Sequence, residues 1–340
     1  MENTIPISVL MPVYNGSRYL EEAIESILVQ TFTAFEFIII NDGSTDDSKE
    51  KILRFIDKRI VFLDHNENKG ITFSLNEGID IAKGKYILRM DADDVSLPER
   101  LEKQFAFMEA HMDVGAAGCF YYLLQGVKHK KIIPFTESEV LRTILLFNAC
   151  LCHPATIIRK ELLTEHNLRY SVDYPHAEDY DLWIQLSKFS KLTNVQEILF
   201  KYRDHSQQVT KVHNPKQKDT ASIIRSKYIT ELGFSFTENN FKIHTLVSSN
   251  QLLTSDSMLD EIEEWFLKLV SQNNILKSIE PKHFNFFIGK QWYDCCGNTN
   301  LGMKAYNRFF KSPLHLYLPL TVGTKLKLAG KCVIRRYKSF

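Results

Sequence analysis

Three carboxylates within four positions, Asp91, Asp93 and Asp94, follow directly on the run Tyr86-Ile87-Leu88-Arg89-Met90. Such a run reads as a buried strand, and acids crowded at its end place negative charge where burial makes it costly unless a cation shares it. Hard carboxylate oxygens on a strand end suit Mg2+ or Mn2+, ions that keep positions open for the oxygens of a substrate diphosphate. An exposed acidic turn leading into a helix is the plainer alternative. A second acid pair, Glu178-Asp179, opens a predicted helix behind the aromatic-rich segment from Tyr170 to His176. Acids in a first helical turn gain ~0.3–1 kcal/mol from the helix dipole, so this pair reads either as dipole complementarity or as working acids.

The elements that must position these acids alternate through the first 120 or so residues. Ile7 to Val13, Phe35 to Ile40, Ile60 to Leu63 and Tyr86 to Met90 read as strands. Between them, Ser17 is positioned to cap a helix carrying Leu20, Ala23, Ile24, Ile27 and Leu28 at helical spacing. Ser44 to Asp47 has capping-box spacing before Ile52, Phe55 and Ile56. Asn68 to Ala82 carries Ile71, Leu75 and Ile79 on one stripe, with Gly84 as its stop, and Ser96 and Glu99 bracket a further helix start. Strands alternating with helices imply an α/β fold with right-handed crossovers and a Rossmann-like, mostly parallel sheet with helices on both faces. Ligands in such sheets sit outside the carboxyl ends of the strands. Those ends are Val13-Tyr14-Asn15, Asn41-Asp42 and Asp91 to Asp94, so the polar groups are expected to converge on one crevice.

Beyond this the pattern is mixed. Val114 to Leu124 and Lys130 to Pro134 read as an antiparallel pair around Gln125-Gly126. Helices are predicted over Glu137 to Phe147 and Glu178 to Phe189, and strands over Ala155 to Ile158 and Gln196 to Tyr202. After Asn214-Pro215 helical segments dominate, which places a boundary between 212 and 213 and makes 213–340 a helical extension.

The totals narrow the class. The chain has 340 residues, 44% hydrophobic and 24% charged, with a formal charge of +1; these are ordinary globular values and carry no field for nucleic acid. Six cysteines lack a disulfide spacing and read as reduced thiols, although Cys150-Leu151-Cys152-His153 has the look of half a zinc site. No signal peptide or apolar stretch of bilayer length is found, so a cytoplasmic location is expected. From Lys304 to Phe340 there are nine Lys/Arg and no Asp or Glu, interleaved with aromatic and leucine residues. A segment of this kind suits peripheral contact with an anionic membrane, or it is a solvated helical face with a basic tail.

Taken in order, Pro12-Val13-Tyr14-Asn15, Asn41-Asp42-Gly43-Ser44-Thr45-Asp46, Asn68-Lys69-Gly70, Gly84-Lys85-Tyr86-Ile87, Asp91-Ala92-Asp93-Asp94 and Glu178-Asp179 resemble the signature of family 2 glycosyltransferases with the GT-A nucleotide-diphospho-sugar transferase fold. The resemblance spans roughly residues 5 to 210. It implies a glycosyltransferase domain over 1–212, with a nucleotide-binding half at about 5–112 and an acceptor half at about 113–212. It further implies that Pro12, Tyr14 and Asn15 line the base and ribose, that Asp42 accepts from the uracil imide, and that Lys69 lies near the nucleotide. Asp91 is implied on the ribose or diphosphate side and Asp93 on the metal, while Asp94 orders the loop or the acceptor. Asp179 is implied as the general base, with Glu178 orienting it or the acceptor. Tyr202-Arg203-Asp204-His205 resembles a Tyr-Arg-x-His stretch of the family, which makes His205 a metal or diphosphate ligand, and His153 resembles an acceptor-site position.

The expected reaction is an inverting displacement on a UDP-sugar, assisted by Mn2+ or Mg2+, with a glycan or lipid-linked oligosaccharide supplying the attacking hydroxyl. No candidate nucleophile for a retaining route is seen. Two rival classes share the fold type. A sugar-nucleotide pyrophosphorylase would carry a Gly-rich, basic loop after the first strand, where this chain has Pro-Val-Tyr-Asn-Gly. An inactive glycan- or nucleotide-sugar-binding protein would have lost a carboxylate, and all are present.

Overall fold

The computed structural model describes residues 5–205 and 214–337. The chain divides into two compact units, one taking Met1–Ser138 and Ala149–Thr220, the other Glu139–Asn148 and Ala221–Phe340. The sequence boundary at 212/213 falls among residues outside the described ones.

The first unit is a nine-stranded sheet in the order β3-β2-β1-β4-β8-β6-β9-β5, with β7 paired to β6. Its strands are β1 (Ile7–Val13), β2 (Phe35–Asn41), β3 (Ile60–Asp64), β4 (Tyr86–Arg89), β5 (Val95–Ser96), β6 (Val114–Gln125), β7 (Lys128–Ile132), β8 (Ile157–Arg159) and β9 (Lys191–Arg203). Strands β3, β2, β1 and β4 run parallel. The second half is mixed: β8 is antiparallel to β4 and β6, whereas β9 is parallel to β6. Every residue of β2 is buried, as the continuous run Phe-Glu-Phe-Ile-Ile-Ile requires of a strand covered on both faces.

The helices of this unit are α1 (Ser17–Leu28), α2 (Ser48–Leu53), α3 (Ile71–Ile81) and α4 (Arg100–Ala110), then α6 (Lys160–Glu165) and α7 (Glu178–Leu186). Leu20, Ala23, Ile24 and Ile27 of α1 join Ile7, Val9, Met11, Tyr86 and Leu88 in one core cluster. Most elements lie within a few residues of their predicted bounds, but several caps differ. Gly16, not Ser17, occupies the α1 cap position, and Ser17 instead donates its backbone N–H to Asp46 Oδ2 at 3.1 Å. No capping box forms over Ser44 to Asp47, because α2 begins later, at Ser48. Helix α3 stops at Ala82; Gly84 serves a close crossing, where an added Cβ would lie 2.4 Å from Ser8 N. Ser96 belongs to β5, and Glu99 holds the α4 cap position without a side-chain bond.

The second unit is helical among its described residues. It holds α5 (Ser138–Ile144) from its second residue on, α8 (Asn214–Glu231) from Ala221 on, α9 (Glu238–Ser248), α10 (Asp256–Leu276), α11 (Pro281–Gly297), α12 (Met303–Lys311) and α13 (Val322–Tyr337). Trp265, Phe266, Phe284, Trp292 and Phe309 fill its core. Buried His244 accepts from Trp265 Nε1 at Nδ1, so its Nε2 donates to Leu146 O and the ring is neutral.

In α13, Leu328 and Cys332 face inward while Val322, Leu326, Val333 and Ile334 are exposed, so the helix has two apolar faces. Among the described residues, three of these basic residues are paired with acids: Lys304 with Asp256, Arg308 with Asp260 and Glu263, and Lys331 with Asp294. Lys311, Lys325 and Lys327 have no carboxylate partner among the described residues. The side chains of Arg335, Arg336 and Lys338 lie outside the described ones. No helix of the described residues is long and apolar enough to cross a membrane.

Candidate active site

Strand order alone brings the expected groups together, since β2, β1 and β4 are neighbours and Val13 pairs with Asn41 at the carboxyl ends. The β1 turn is locked to the β2 turn. Asn15, at φ +48°, donates its N–H to Ser44 Oγ at 3.0 Å and accepts from Thr45 N at 2.8 Å. Tyr14 is 52% exposed, which makes it available for stacking rather than part of the core.

Asp42 is 2% exposed and tethers the following loop. Its Oδ1 accepts from Lys69 N at 3.0 Å, its Oδ2 accepts from Gly70 N at 2.9 Å, and His65 Nδ1 lies 2.9 Å from Oδ1. Gly43 permits this closure: its φ is +68°, and a Cβ there would sit 2.3 Å from the Glu67 carbonyl carbon. Lys69 places its ammonium 4.6 Å from the Phe73 ring centroid. Pro12 is half-buried on β1.

After β4, Asp91, Asp93 and Asp94 bring one carboxylate oxygen each to within 4.8 Å of one another. Arg203 of β9 holds this loop from the far side, donating its backbone N–H to Asp94 Oδ1 and its Nε to Asp93 O, each at 2.7 Å. His205 Nε2 lies 2.8 Å from Asp93 Oδ2, and His205 is not among the three converging groups. Burial raises the Asp93 carboxyl, and Asp91 beside it raises it further. Asp94 is pushed up well beyond its ordinary value by burial and by both neighbours, and its Oδ2 has no hydrogen-bond partner among the described residues. An orphaned acceptor within a set of mutually repelling hard oxygens fits a divalent cation such as Mn2+ or Mg2+.

The second acid pair lies in the first turn of α7. Asp179 Oδ1 accepts from Tyr180 N at 2.8 Å, and the buried Glu178 leaves Oε2 without a partner among the described residues. Burial raises Glu178 to about 7, aided by the charge of Asp179, while Arg89 opposes the rise. Burial likewise raises Asp179 to about 6, again opposed by Arg89 and raised by Asp91. Arg89 is therefore near both acids, and its Nη2 bonds Asp91 Oδ1 at 2.5 Å. Arg89 thus bonds Asp91 and also lowers the pKa of both α7 acids through its charge.

Comparison with known proteins gives the family of the chain. The sequence model described as "Glycosyl transferase family 2" matches residues 8–166. An uncharacterised glycosyltransferase of Haemophilus influenzae is 33% identical over 277 residues, 75% of this chain and 85% of that protein. The chain belongs to glycosyltransferase family 2. Another uncharacterised glycosyltransferase, from Methanocaldococcus jannaschii, is 34% identical over 206 residues, 58% of this chain and 70% of that one. Among solved structures, S. aureus TarS 1-349 in complex with UDP aligns with a TM-score of 0.53 at 15% identity, covering 98% of this chain and 92% of that one. The mannosyltransferase PcManGT from Pyrobaculum calidifontis, in complex with GDP-Man and Mn2+, aligns at 0.50 and 14%, covering 98% and 81%. The fold of this family member is accordingly of the GT-A type.

His153 bonds Tyr170 through Nε2 at 2.8 Å and stands 5.9 Å, ring to ring, from Trp183; burial, then Arg89, keeps it neutral. The cysteines are free thiols, and none belongs to a metal-holding group among the described residues. Sequence reasoning missed Arg89, Arg203 and His65. Arg89 had a signal: it is the one charge inside an otherwise apolar strand.

Proposed function

We propose that this glycosyltransferase moves a hexosyl group from a UDP-sugar to a hydroxyl of a glycan or lipid-linked acceptor, with inversion, in cell-surface polysaccharide synthesis. The observation that carries the reading is the shared environment of Arg89, which links Asp91 on the donor side to Glu178 and Asp179 on α7. The structures of TarS with UDP and of PcManGT with GDP-Man and Mn2+ support a nucleotide-sugar donor.

In this reading Tyr14 stacks on the base, Pro12 and Asn15 border the ribose, Asp42 accepts from the uracil imide and Lys69 lies along the nucleotide. Asp91, Asp93 and Asp94 would hold Mn2+ or Mg2+, with His205 orienting Asp93. When bound there, the cation supplies neutralising charge to the leaving diphosphate. Asp179 takes the proton of the acceptor hydroxyl as that oxygen attacks the anomeric carbon, and a pKa near 6 leaves it ionised at neutral pH yet basic enough to work. Glu178, buried beside it, orients the acceptor. Arg89 opposes part of the rise that burial imposes on both carboxyls.

The reading extends to peripheral contact with the anionic cytoplasmic leaflet through α13. Exposed Val322, Leu326, Val333 and Ile334, beside Lys325 and Lys327, which have no carboxylate partner among the described residues, support it. A panel of UDP-, GDP- and other nucleotide sugars, incubated with the full chain and Mn2+ and scored for released nucleotide, tests the donor assignment. Turnover with a UDP-sugar is expected, and turnover confined to another nucleotide would overturn it.

A further inference from the structure

His65 follows β3 and is buried with both ring nitrogens facing carboxylates: Nδ1 lies 2.9 Å from Asp42 Oδ1 and Nε2 lies 2.7 Å from Glu77 Oε2. Ionised carboxylates only accept hydrogen bonds, and a neutral imidazole has a single N–H. Both contacts together therefore require the imidazolium, whose charge-assisted bonds are the stronger kind. The groups that face it are Asp42 at the end of β2, Asp64 on β3, Lys69 in the loop and Glu77 on α3, with the Phe73 ring edge-on at 5.7 Å. Burial pulls the imidazole down and Lys69 opposes its charge, but the bonds to Asp42 and Glu77 outweigh both and raise it above its ordinary value.

Asp42 uses three acceptor positions on His65, Lys69 N and Gly70 N. One of the roughly four that a carboxylate offers remains. We infer that His65 is a positioning residue for nucleobase recognition: clamped between Asp42 and Glu77 as a cation, it fixes the Asp42 carboxylate so that its remaining acceptor position meets the base, and it makes base selectivity depend on pH. This rests on the reading of Asp42 as the acceptor for the uracil imide. The sign follows from the raised pKa. The clamp is complete below the ordinary histidine range and is lost as pH rises through the folded value.

Uracil presents an N–H donor at N3 where cytosine presents an acceptor, so the ratio of UDP to CDP affinity reports Asp42 while titration of the shared diphosphate cancels. Calorimetry of both nucleotides with the full chain and Mn2+, from about pH 5.5 to 8.5, should show a wild-type preference for UDP that falls ~3- to 10-fold as pH rises. His65→Leu should show the low ratio at every pH. Glu77→Gln should hold the ratio while flattening its pH dependence, because a carboxamide can donate to a neutral imidazole. A flat wild-type profile, or a wild-type ratio in His65→Leu, would overturn the inference. If Asp42→Asn loses the preference while both His65→Leu and Glu77→Gln behave as wild type, only the role of His65 falls. If wild type has no preference and Asp42→Asn changes nothing, the reading of Asp42 falls and the inference with it.

Discussion

Arg89 Nη2 bonds Asp91 Oδ1 at 2.5 Å, and the guanidinium is 1% exposed. The first acid of the Asp-x-Asp motif is thus paired with an internal cation supplied by its own strand. Removing one partner of a buried pair costs more than the pair itself contributes, because the other charge is stranded. Since Asp91 keeps a solvent-facing edge, Arg89→Met is expected to lower unfolding free energy by about 2–3 kcal/mol, below the ~3–5 kcal/mol of a fully buried pair. A urea titration measures this. An unchanged midpoint would mean that the pair is solvated.

The α7 carboxylates predict the pH profile. A general base works only when ionised, so kcat/KM should rise with pH through the window set by Asp179 near 6 and Glu178 near 7, then level off. Because the two acids interact, the profile gives apparent values for the pair. Asp179→Asn should lower transfer ~10²–10⁴-fold while leaving UDP affinity intact. Near wild-type turnover in that variant would move the base to Glu178. The same raised values predict that stability declines as pH climbs from the ordinary carboxylate range towards 7, because the folded state holds protons there that the unfolded chain releases.

The metal role is tested at Asp93, whose oxygen lies among the three converging carboxylates. Calorimetric UDP affinity should depend on Mn2+ or Mg2+, and Asp93→Ala should weaken it by at least ~1.4 kcal/mol, a factor of about ten. Equal affinity with and without the cation would remove the metal from the site.

The centre of the sheet was legible in the sequence because β1, β2 and β4 are nearly continuous apolar runs, as strands covered on both faces require, and because turn residues stand at their ends. The order of the acids followed from the same signal. What escaped were long-range partners. The caps at Ser17 and Ser44 to Asp47 were misread because local spacing does not reveal that the Asp46 carboxylate and the Ser48 hydroxyl serve a turn some thirty residues earlier. His65 and Arg203 lie far along the chain from the acids they hold, at 23 and about 110 residues, so no periodicity marks them. Arg89 was readable as an anomaly within its strand, but its pairing with Asp91 needed the fold. The count of nine C-terminal basic residues stands, but it does not show that α10 and α11 supply the acids that neutralise Lys304, Arg308 and Lys331.

That neutralisation sharpens the membrane prediction. On α13, Leu326 is 67% exposed and lies about two helical turns from exposed Val333, while Leu328 and Cys332 point into the core. Lys325 and Lys327 flank Leu326 without a carboxylate partner among the described residues. Membrane contact then depends on two terms, apolar insertion and attraction of about 1 kcal/mol per basic residue near an anionic surface. The combined change Lys325→Glu and Lys327→Glu should abolish co-sedimentation with anionic vesicles, whereas Lys304→Ala should not, because Lys304 is already spent on Asp256. Leu326→Ser with Val333→Ser should weaken binding and leave its salt dependence in place. Binding of the wild type should fall at high salt, as the Debye length shrinks from ~10 Å at 0.1 M to ~3 Å at 1 M. Equal binding to neutral and anionic vesicles, or none to either, would show that α13 does not dock on lipid, and the catalytic reading, which rests on the first unit alone, would stand.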